Sequence, residues 1–266
     1  MMTFSPQNGK LLARGDPPPV SLLGAPLAPA PFVLLGDHAG DAFPRALGDM
    51  GLSPGDRGRH IALDIGIAQL GRLLSRRLEA PFLSQVYSRL VVDCNRDPAS
   101  EGAMPETSDG TSIPGNRTLT RSQKAERVQA IHQPYHDAIA SLLDDRAAAG
   151  LPNILIALHS FTPVFGGARR AWDAGVLHGG PGDDYGRRVL ALLQQQPDWV
   201  IGDNQPYAFN GTDYTIPLHA FPRKLRWLEL EVRQDRLSSP EQIKEMARRL
   251  APLLLEAAGH GERRLN

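Results

Sequence analysis

Short apolar runs alternate with longer amphipathic stretches along most of this chain. The apolar runs cover residues 32–35, 90–92, 154–158, 199–201 and 227–232, and the helical patterns cover residues 61–78, 125–143 and 241–258. In the first helical pattern the apolar side chains recur at three- and four-residue steps, at Ile67, Leu70, Leu74 and Leu78. Strands that alternate with helices in this way are typical of a mostly parallel sheet covered by helices on both faces. The sequence therefore predicts an α/β fold with a mixed, mostly parallel sheet.

The first 30 residues differ from the rest of the chain because prolines interrupt them. Pro17, Pro18 and Pro19 follow one another directly, and three more prolines lie in the same segment. Because proline lacks an amide hydrogen and cannot continue a regular helix, residues 1–30 are predicted to form an extended arm. A chain of 266 residues can bury one sizeable core, so residues 31–266 are predicted to form a single α/β domain.

The stretch of residues 97–115 shows no apolar periodicity and is rich in Ser, Thr, Pro and Gly. A loop of this length is uncommon inside a compact domain unless it has a function. Two interpretations remain open for it, a lid or binding loop over a site, or a disordered segment.

The composition argues against two classes of binding partner. The 29 basic and 29 acidic residues cancel, and no block of Lys or Arg appears, so neither nucleic acid nor an anionic membrane surface is expected as a partner. Cys94 is the single cysteine, which excludes an internal disulfide framework. The sequence shows no export signal and no run of the roughly 20 apolar residues that cross a bilayer. We therefore expect a cytoplasmic protein that acts on a small molecule.

Polar clusters follow four of the apolar runs directly. They are Asp37-His38-Ala39-Gly40-Asp41, Asp93-Cys94-Asn95-Arg96, His159-Ser160 and Asp203-Asn204. The carboxyl ends of strands in open α/β sheets are where ligands bind. The four clusters are therefore expected to converge on one rim of the sheet.

Two of these clusters carry histidines that suit a zinc site. A hydrolytic zinc ion takes three protein ligands, usually histidines with a carboxylate, and keeps one position open for water. His38, Asp41 and His159 could supply that set, and Asp37 is a competing carboxylate. The alternative is that both histidines only end their strands. Two histidines at predicted strand ends favour the metal site.

The run of residues 227–232 carries two glutamates in an alternating pattern. Leu228, Leu230 and Val232 fall on one face of a strand, and Glu229 and Glu231 fall on the other. A carboxylate within a central strand needs a partner or a function, because burying it unpaired is costly. Glu231 is the candidate general base. The alternative is an edge strand with a solvated acidic face.

Arg89, Asn95 and Arg96 bring polar donors into one short segment. The planar guanidinium of arginine matches a carboxylate through two hydrogen bonds, which would suit an acidic substrate or an oxyanion. The alternative is ion pairing on the surface with Asp93 or Asp97.

Several other motifs carry no function of their own. His132 and His136 have the spacing of a helical zinc pair, but the glutamate of H-E-x-x-H is missing and Pro134 lies between them, so His132 is predicted on a helix surface and His136 stays open. The chain contains no G-x-S-x-G, no P-loop and no G-x-G-x-x-G motif, so serine-hydrolase chemistry and nucleotide binding lack support.

Segments between residues 32 and 236 resemble the N-formylglutamate amidohydrolase family, in one order along the chain. They are GDHAG at 36–40, FP at 43–44, YSRLVVDCNR at 87–96, IPGN at 113–116, PYH at 134–136, HSFTP at 159–163, GDNQPY at 202–207, YT at 214–215, His219 and EVRQD at 231–235. Residues 1–30 lie outside the resemblance. Residues 221–225 depart from the glycine-leucine-proline turn that precedes the last strand in the family.

The resemblance implies a fold similar to zinc carboxypeptidases and hydrolysis of a formyl or acyl amide. In that pattern His38, Asp41 and His159 would hold Zn²⁺, although Asp41 stands where the pattern has a glutamate. Glu231 would be the base and Arg89 would stabilise the oxyanion. Substrate contacts would come from Asn95, Arg96, Asp203, Asn204 and Tyr207.

For N-formyl-L-glutamate the products would be formate and glutamate, a step of histidine degradation. Two alternatives remain open at this stage. The same zinc site could hydrolyse another N-acyl amino acid or a small peptide, or the chain could be a metal-free binding protein for acidic amino acids.

Overall fold

A seven-stranded sheet forms the centre of the computed structural model, which describes residues 11–259. The strands of the chain are β1 Val20–Leu23, β2 Phe32–Gly36, β3 Phe82–Gln85, β4 Thr107–Ser108, β5 Thr111–Ser112, β6 Ile154–Phe161, β7 Val164–Phe165, β8 Ala168–Arg169, β9 Ala174–Leu177, β10 Ile201–Asp203 and β11 Arg226–Arg233. The helices are α1 Pro54–Arg57, α2 Ile67–Leu78, α3 Arg121–Arg127, α4 Gln133–Ala148, α5 Asp184–Gln194, α6 Thr215–His219 and α7 Pro240–Ala257. The pairs β4–β5 and β7–β8 are small hairpins separate from this sheet.

The sheet is mixed and mostly parallel, in the order β1-β3-β2-β6-β11-β9-β10. The central strands β3, β2, β6 and β11 run parallel where they pair, and so do β9 and β10. Antiparallel pairing joins β1 to β3 and β9 to β11. The predicted α/β fold with a mixed, mostly parallel sheet is therefore confirmed.

Both faces of the sheet are covered by helices. Along β2, Phe32 and Leu34 pack on the face that holds α2, α5 and α7, whereas Val33 and Leu35 pack on the opposite face with α4. Each buried aliphatic or aromatic side chain of this kind contributes about 1.5–3 kcal/mol to folding. Within residues 11–259, no helix is long and apolar enough to cross a membrane.

Helix α2 begins at Ile67 rather than at residue 61, where the apolar pattern starts. Gly66 precedes it with φ 84°, and a Cβ atom at that position would lie 2.5 Å from Cβ of Leu237. The residues before Gly66 therefore form turns, and one of them brings Asp64 beside the loop after β2. The amide nitrogen of Asp64 donates to the carbonyl oxygen of His38 at 2.9 Å.

The helical pattern predicted for residues 125–143 is divided into three parts. Helix α3 is followed by a π-helical turn at Val128–His132 and then by α4. Pro134 lies in the first turn of α4, directly after this π-helical turn. His132 is buried in the π-helical turn, so its predicted place on a helix surface is wrong.

The apolar run of residues 90–92 is not a strand. It is buried in turns, where the backbone nitrogens of Arg89 and Val91 donate to Ala62 and Ser88. Turn hydrogen bonds thus satisfy this part of the backbone without a sheet partner. The strand in this region is β3, which lies earlier in the chain. The sequence did not predict β9.

The described part of the proline-rich segment packs against the domain. Strand β1 extends the sheet by pairing with β3, and Leu11 and Val20 are buried. The guanidinium of Arg146 donates to the carbonyl oxygens of Pro26, Ala28 and Ala30. Residues 11–30 are therefore not a free arm, and the prediction for residues 1–10 lies outside the described residues. The single domain of residues 31–266 stays a prediction.

The stretch of residues 97–115 is ordered around the β4–β5 hairpin. Thr107 and Ser108 of this hairpin line a cleft, together with Gly102 and Pro105. This placement agrees with a binding loop, and it gives no support to the alternative of a disordered segment.

Candidate active site

A cleft of about 530 Å³ opens at the carboxyl ends of the central strands. Its lining includes His38 after β2, His159 near the end of β6 and Glu231 near the end of β11. Glu231 and His159 are neighbours in the register of these two strands. Gly40 lets the loop after β2 pass close to the residues that follow β3, because a Cβ at Gly40 would lie 2.1 Å from the carbonyl oxygen of Val86.

Three buried side chains in this cleft form a candidate metal site. One ligand atom from each of His38, Asp64 and His159 lies within 4.8 Å of the others. The Nδ1 atoms of His38 and His159 lie 3.5 Å and 2.9 Å from the same Oδ2 atom of Asp64. The Nδ1 atom of His38 is buried and has no hydrogen-bond partner within the described chain. Two imidazoles and one carboxylate match the ligand set of a catalytic zinc site.

Two further carboxylates lie beside the other ring nitrogens of the two histidines. The Nε2 atom of His38 lies 2.7 Å from Asp93 Oδ1, and the Nε2 atom of His159 lies 3.3 Å from Asp37 Oδ2. Histidines that ligate metals commonly donate the other ring nitrogen to a carboxylate, which fixes the tautomer and the ring orientation. The hydroxyl of Tyr135 in turn donates to Asp37 at 2.7 Å. The Nδ1 atoms of both histidines therefore face Asp64.

Asp41, predicted as the third ligand, does not join this group. It is exposed, and among the described residues the carboxylate that joins the two histidines is that of Asp64. The candidate ligand is therefore corrected from Asp41 to Asp64. Asp37, the competing carboxylate, is buried, and its Oδ2 atom lies 3.3 Å from Nε2 of His159. Burial raises the pKa of Asp64, but His38 and His159 outweigh this effect and hold that pKa well below its usual range.

Glu229 and Glu231 lie on a central strand rather than on an edge strand. β11 runs between β6 and β9, and Leu228, Leu230 and Val232 point into the core on the other face, as the alternation predicted. Both glutamates are buried and line the cleft, and each has one oxygen without a partner within residues 11–259. The alternative of a solvated acidic face is therefore excluded.

Burial changes the acidity of both glutamates. It raises the pKa of Glu231 to about 7, against the opposing effect of His159. It also raises the pKa of Glu229 well above the usual value, and nearby Asp213 adds to that rise. A carboxyl group whose pKa is near neutral can both take up and release a proton at physiological pH.

Arg89 faces the carboxylates around the candidate metal site. Its Nε and Nη2 atoms donate to Asp93 Oδ2 at 3.2 Å and 2.7 Å, and Nη1 lies 3.4 Å from Asp64 Oδ1. Burial lowers its pKa, but Asp93 and Asp64 outweigh burial and raise it. Arg89 is thus a fixed positive charge at the wall of the cleft, and its pairing with Asp93 is partly buried inside that cleft.

The predicted carboxylate-binding residues Asn95 and Arg96 line the cleft and already face a carboxylate of the same chain. Asn95 Nδ2 donates to Asp213 Oδ1 at 3.3 Å, and Arg96 Nη1 lies 3.7 Å from that oxygen. Arg96 Nη1 also donates to the carbonyl oxygens of Asn95 and Thr212. Asn95 Oδ1 accepts from the backbone nitrogens of Tyr214 and Thr215, which fixes its amide.

The remaining predicted substrate contacts divide into two groups. Tyr207 lines the cleft, whereas Asp203 and Asn204 lie outside its lining residues. Asp203 Oδ1 lies 2.6 Å from Nε2 of His178, and Asn204 Oδ1 accepts from the backbone nitrogen of His178. The physical reason is topological, since β10 is the edge strand and runs opposite to β11, so its carboxyl end points away from those of β2, β6 and β11. The expectation that all four polar clusters converge is therefore wrong for this cluster.

His136 lies beneath the cleft in a chain of hydrogen bonds. Its Nε2 atom lies 2.9 Å from the carbonyl oxygen of Cys94, and its Nδ1 atom lies 3.0 Å from Nε2 of His219. Burial lowers the pKa of His136 to about 3 and that of His219 to about 4, so both are neutral at pH 7. This pair supports the segment that carries Cys94 and Asn95.

Sequence reasoning missed Asp64 and Asp213. Asp64 is the one acid inside the run from Ile61 to Ile67, and an acid in an apolar run signals a buried partner because an unpaired one would be costly to bury. The prediction instead included Asp64 in the helix of residues 61–78. Asp213 follows Asn210-Gly211-Thr212, and nothing in that turn-like segment marked it as a cleft residue.

Comparison with known proteins supports this description. The model of the N-formylglutamate amidohydrolase family matches residues 30–237. The structure of gene product Atu2144 from Agrobacterium tumefaciens is 31% identical, with a TM-score of 0.89 over 94% of this chain and 98% of that chain. The N-formylglutamate amidohydrolase from Ralstonia eutropha JMP134 is 19% identical, with a TM-score of 0.66 over 91% of this chain and 97% of that chain. At this identity the similarity shows a shared fold and nothing further. No curated protein sequence matches this chain. The chain belongs to the N-formylglutamate amidohydrolase family.

Proposed function

We propose that this chain is a metal-dependent amidohydrolase that cleaves the acyl amide of an N-acyl amino acid, with N-formyl-L-glutamate as the leading substrate. The products would be formate and L-glutamate, as in histidine degradation in the cytoplasm. Family membership supports the amide hydrolysis. The observation that carries the metal dependence is that His38 and His159 turn the same ring nitrogen toward one oxygen of Asp64.

His38, Asp64 and His159 would hold the metal ion. A bound zinc ion would polarise the amide carbonyl and acidify a water molecule near neutral pH. Glu231 accepts a proton from the attacking water, because one of its oxygens has no partner among the described residues and its pKa is about 7. As the bond between the acyl carbon and nitrogen breaks, Glu231 returns that proton to the nitrogen.

Two arginines of the cleft bind the substrate. Arg89 donates to the carbonyl oxygen as negative charge develops there, from a position fixed by Asp93. Arg96 binds the carboxylate of the amino acid through its Nε and Nη2 donors, since the hydrogen bonds it makes in the described chain use Nη1. Water supplies both hydrogens of the overall reaction, so the acyl group leaves as a carboxylate and the nitrogen as an ammonium.

The test is metal content measured beside formate release from N-formyl-L-glutamate, in wild type and in His159→Ala, with and without a chelator. We expect about one zinc per chain in wild type, as in other three-ligand catalytic sites. Formate should appear only with the metal-loaded wild type. Metal binding without formate release would keep the site and discard this substrate in favour of another N-acyl amino acid or a small peptide.

The competing function of another class is metal-free binding of acidic amino acids. It draws on the same Arg96 and Asn95 side chains, but it leaves the shared orientation of His38 and His159 without a role. Absence of metal from both proteins in the same experiment, together with tight glutamate binding, would favour it over the hydrolase.

A further inference from the structure

Asp213 is a cleft residue, and only one of its two carboxylate oxygens has a hydrogen-bond partner among the described residues. Its side chain is 9% exposed and lines the cleft. One oxygen, Oδ1, accepts from Asn95 and lies 3.7 Å from Arg96, as described above. The other oxygen, Oδ2, is buried and has no hydrogen-bond partner in the chain from residue 11 to 259. A buried carboxylate oxygen without a donor is costly, so a ligand that supplies a donor would bind favourably here.

The charges around the cleft indicate the sign of that ligand group. Two arginines and five acidic residues line it. Arg89 is held by Asp93, and Asp64 belongs to the candidate metal site. Glu229 also carries an oxygen without a partner within the described range. A donor that brings positive charge would therefore be favoured beside Asp213, and a further carboxylate next to Oδ2 would be repelled.

Covalent geometry identifies the donor in the substrate. In an α-amino acid the nitrogen and the carboxylate carbon share one Cα atom and lie about 2.5 Å apart. Arg96 Nη1 lies 3.7 Å from Asp213 Oδ1, so the two side chains are adjacent in the cleft. Two groups that share one Cα atom are close enough together to contact both, with the carboxylate on Arg96 and the α-nitrogen on Asp213. In the proposed reaction that nitrogen belongs to the amide bond that breaks.

We propose that Asp213 binds the α-nitrogen of the substrate, accepting the amide N–H before cleavage and the ammonium afterwards. This inference rests on the proposed function and adds a catalytic residue to it. The nitrogen gains positive charge as the bond breaks, so its interaction with the carboxylate strengthens during the reaction. Asp213 thereby favours departure of the nitrogen.

Binding of products tests Asp213 independently of turnover. L-Glutamate is compared with L-2-hydroxyglutarate, and L-leucine with L-2-hydroxyisocaproate, because each pair differs only in ammonium against hydroxyl. Titration calorimetry would use metal-loaded wild type, Asp213→Asn and Asp198→Asn. Asp198 is a matched control, since its side chain is 62% exposed and pairs with Arg249 outside the cleft.

We expect wild type and Asp198→Asn to bind at least one amino acid about tenfold or more tightly than its hydroxy analogue, the range of a charge-assisted hydrogen bond. Asp213→Asn keeps Oδ1 for Asn95 and should lose most of that preference while its affinity for the hydroxy acid stays the same or rises.

Three results would overturn the proposal. They are no preference in wild type for either pair, a preference that survives in Asp213→Asn, and an equal loss of affinity for amino acid and hydroxy acid, which indicates a structural role. Formate release from N-formyl-L-glutamate is measured alongside. If wild type shows the binding preference but releases no formate, the proposed reaction fails and the role of Asp213 in binding an α-ammonium remains.

Discussion

Asp64 and Asp41 differ in where the fold places their carboxylates. Asp64 is buried between His38 and His159, whereas Asp41 is exposed. Removal of a residue that only orients a metal ligand weakens metal binding about 10- to 100-fold, and removal of a ligand should cost at least as much. We therefore expect Asp64→Asn to bind zinc at least about 100-fold more weakly than wild type, measured by competition with a chromophoric chelator.

Asp41→Asn is the matched control for that variant, because it makes the same chemical change in the same region of the chain. It should bind zinc as wild type does. The opposite result, with zinc lost in Asp41→Asn and retained in Asp64→Asn, would restore the ligand set predicted from the sequence.

Glu231 is the residue whose loss should separate chemistry from metal binding. It lines the cleft but does not belong to the group of candidate ligands. General base catalysis contributes about 10²- to 10⁴-fold to a rate, so Glu231→Gln should lower kcat by that factor while the zinc content stays near one per chain. Steady-state formate release and metal analysis on the same sample check this. Full activity in Glu231→Gln would assign the base to another carboxylate, with Glu229 the next to test.

Among the elements, those with a strong local pattern could be predicted from the sequence. β11 showed its alternation, and α2 and α7 showed their apolar faces, because these patterns need only neighbouring residues. β3 and β9 are four residues each and contain Ser, Gln or Gly among few apolar positions. Their place in the sheet is set by long-range pairing, which a short local pattern does not carry.

Part of the candidate site was predictable because its residues lie at strand ends. His38, His159 and Glu231 lie at or near strand ends, so the general rule for α/β sheets pointed to them. Asp64 and Asp213 reach the cleft from turns before α2 and α6. Their positions depend on how these turns pack against distant segments, as the hydrogen bond from Asp64 to His38 illustrates.

The contact between α4 and α6 predicts loss of stability in acid. His136 and His219 are buried with pKa values of about 3 and about 4, below the ordinary value of 6.5. As pH falls below 6.5 the unfolded chain takes up protons that the folded chain does not. Each histidine should therefore lower the free energy of unfolding by up to about 1.4 kcal/mol per pH unit between pH 6.5 and its folded pKa.

Urea unfolding of wild type and His219→Gln at several pH values checks this expectation. The variant should lose stability less steeply between pH 6.5 and 4.5, because one of the two groups no longer titrates. Above pH 7 both histidines are neutral in both states, so the two proteins should there show the same pH dependence. Parallel curves throughout would show that the histidine pair does not control stability in acid.

Where the central strands end, the cleft contains more negative than positive side chains. Asp37, Asp64 and Asp93 surround the two histidines, and Glu229 and Glu231 complete the acidic wall. The fold brings these carboxylates together from strand ends and turns, whether or not a cation is present. A bound divalent ion would therefore stabilise the folded sheet in addition to its role in catalysis.

Removal of the metal should lower the melting temperature for this reason. A ligand that binds only the folded chain, at about 100 times its Kd, stabilises it by about 2.7 kcal/mol. For a protein of this size that corresponds to roughly 5–10 °C. Calorimetry of wild type before and after dialysis against a chelator should show this decrease, and zinc should reverse it. His159→Ala should melt at the same temperature with and without chelator, because its site is already broken. An equal decrease in His159→Ala would mean that the stabilising metal binds elsewhere on the molecule.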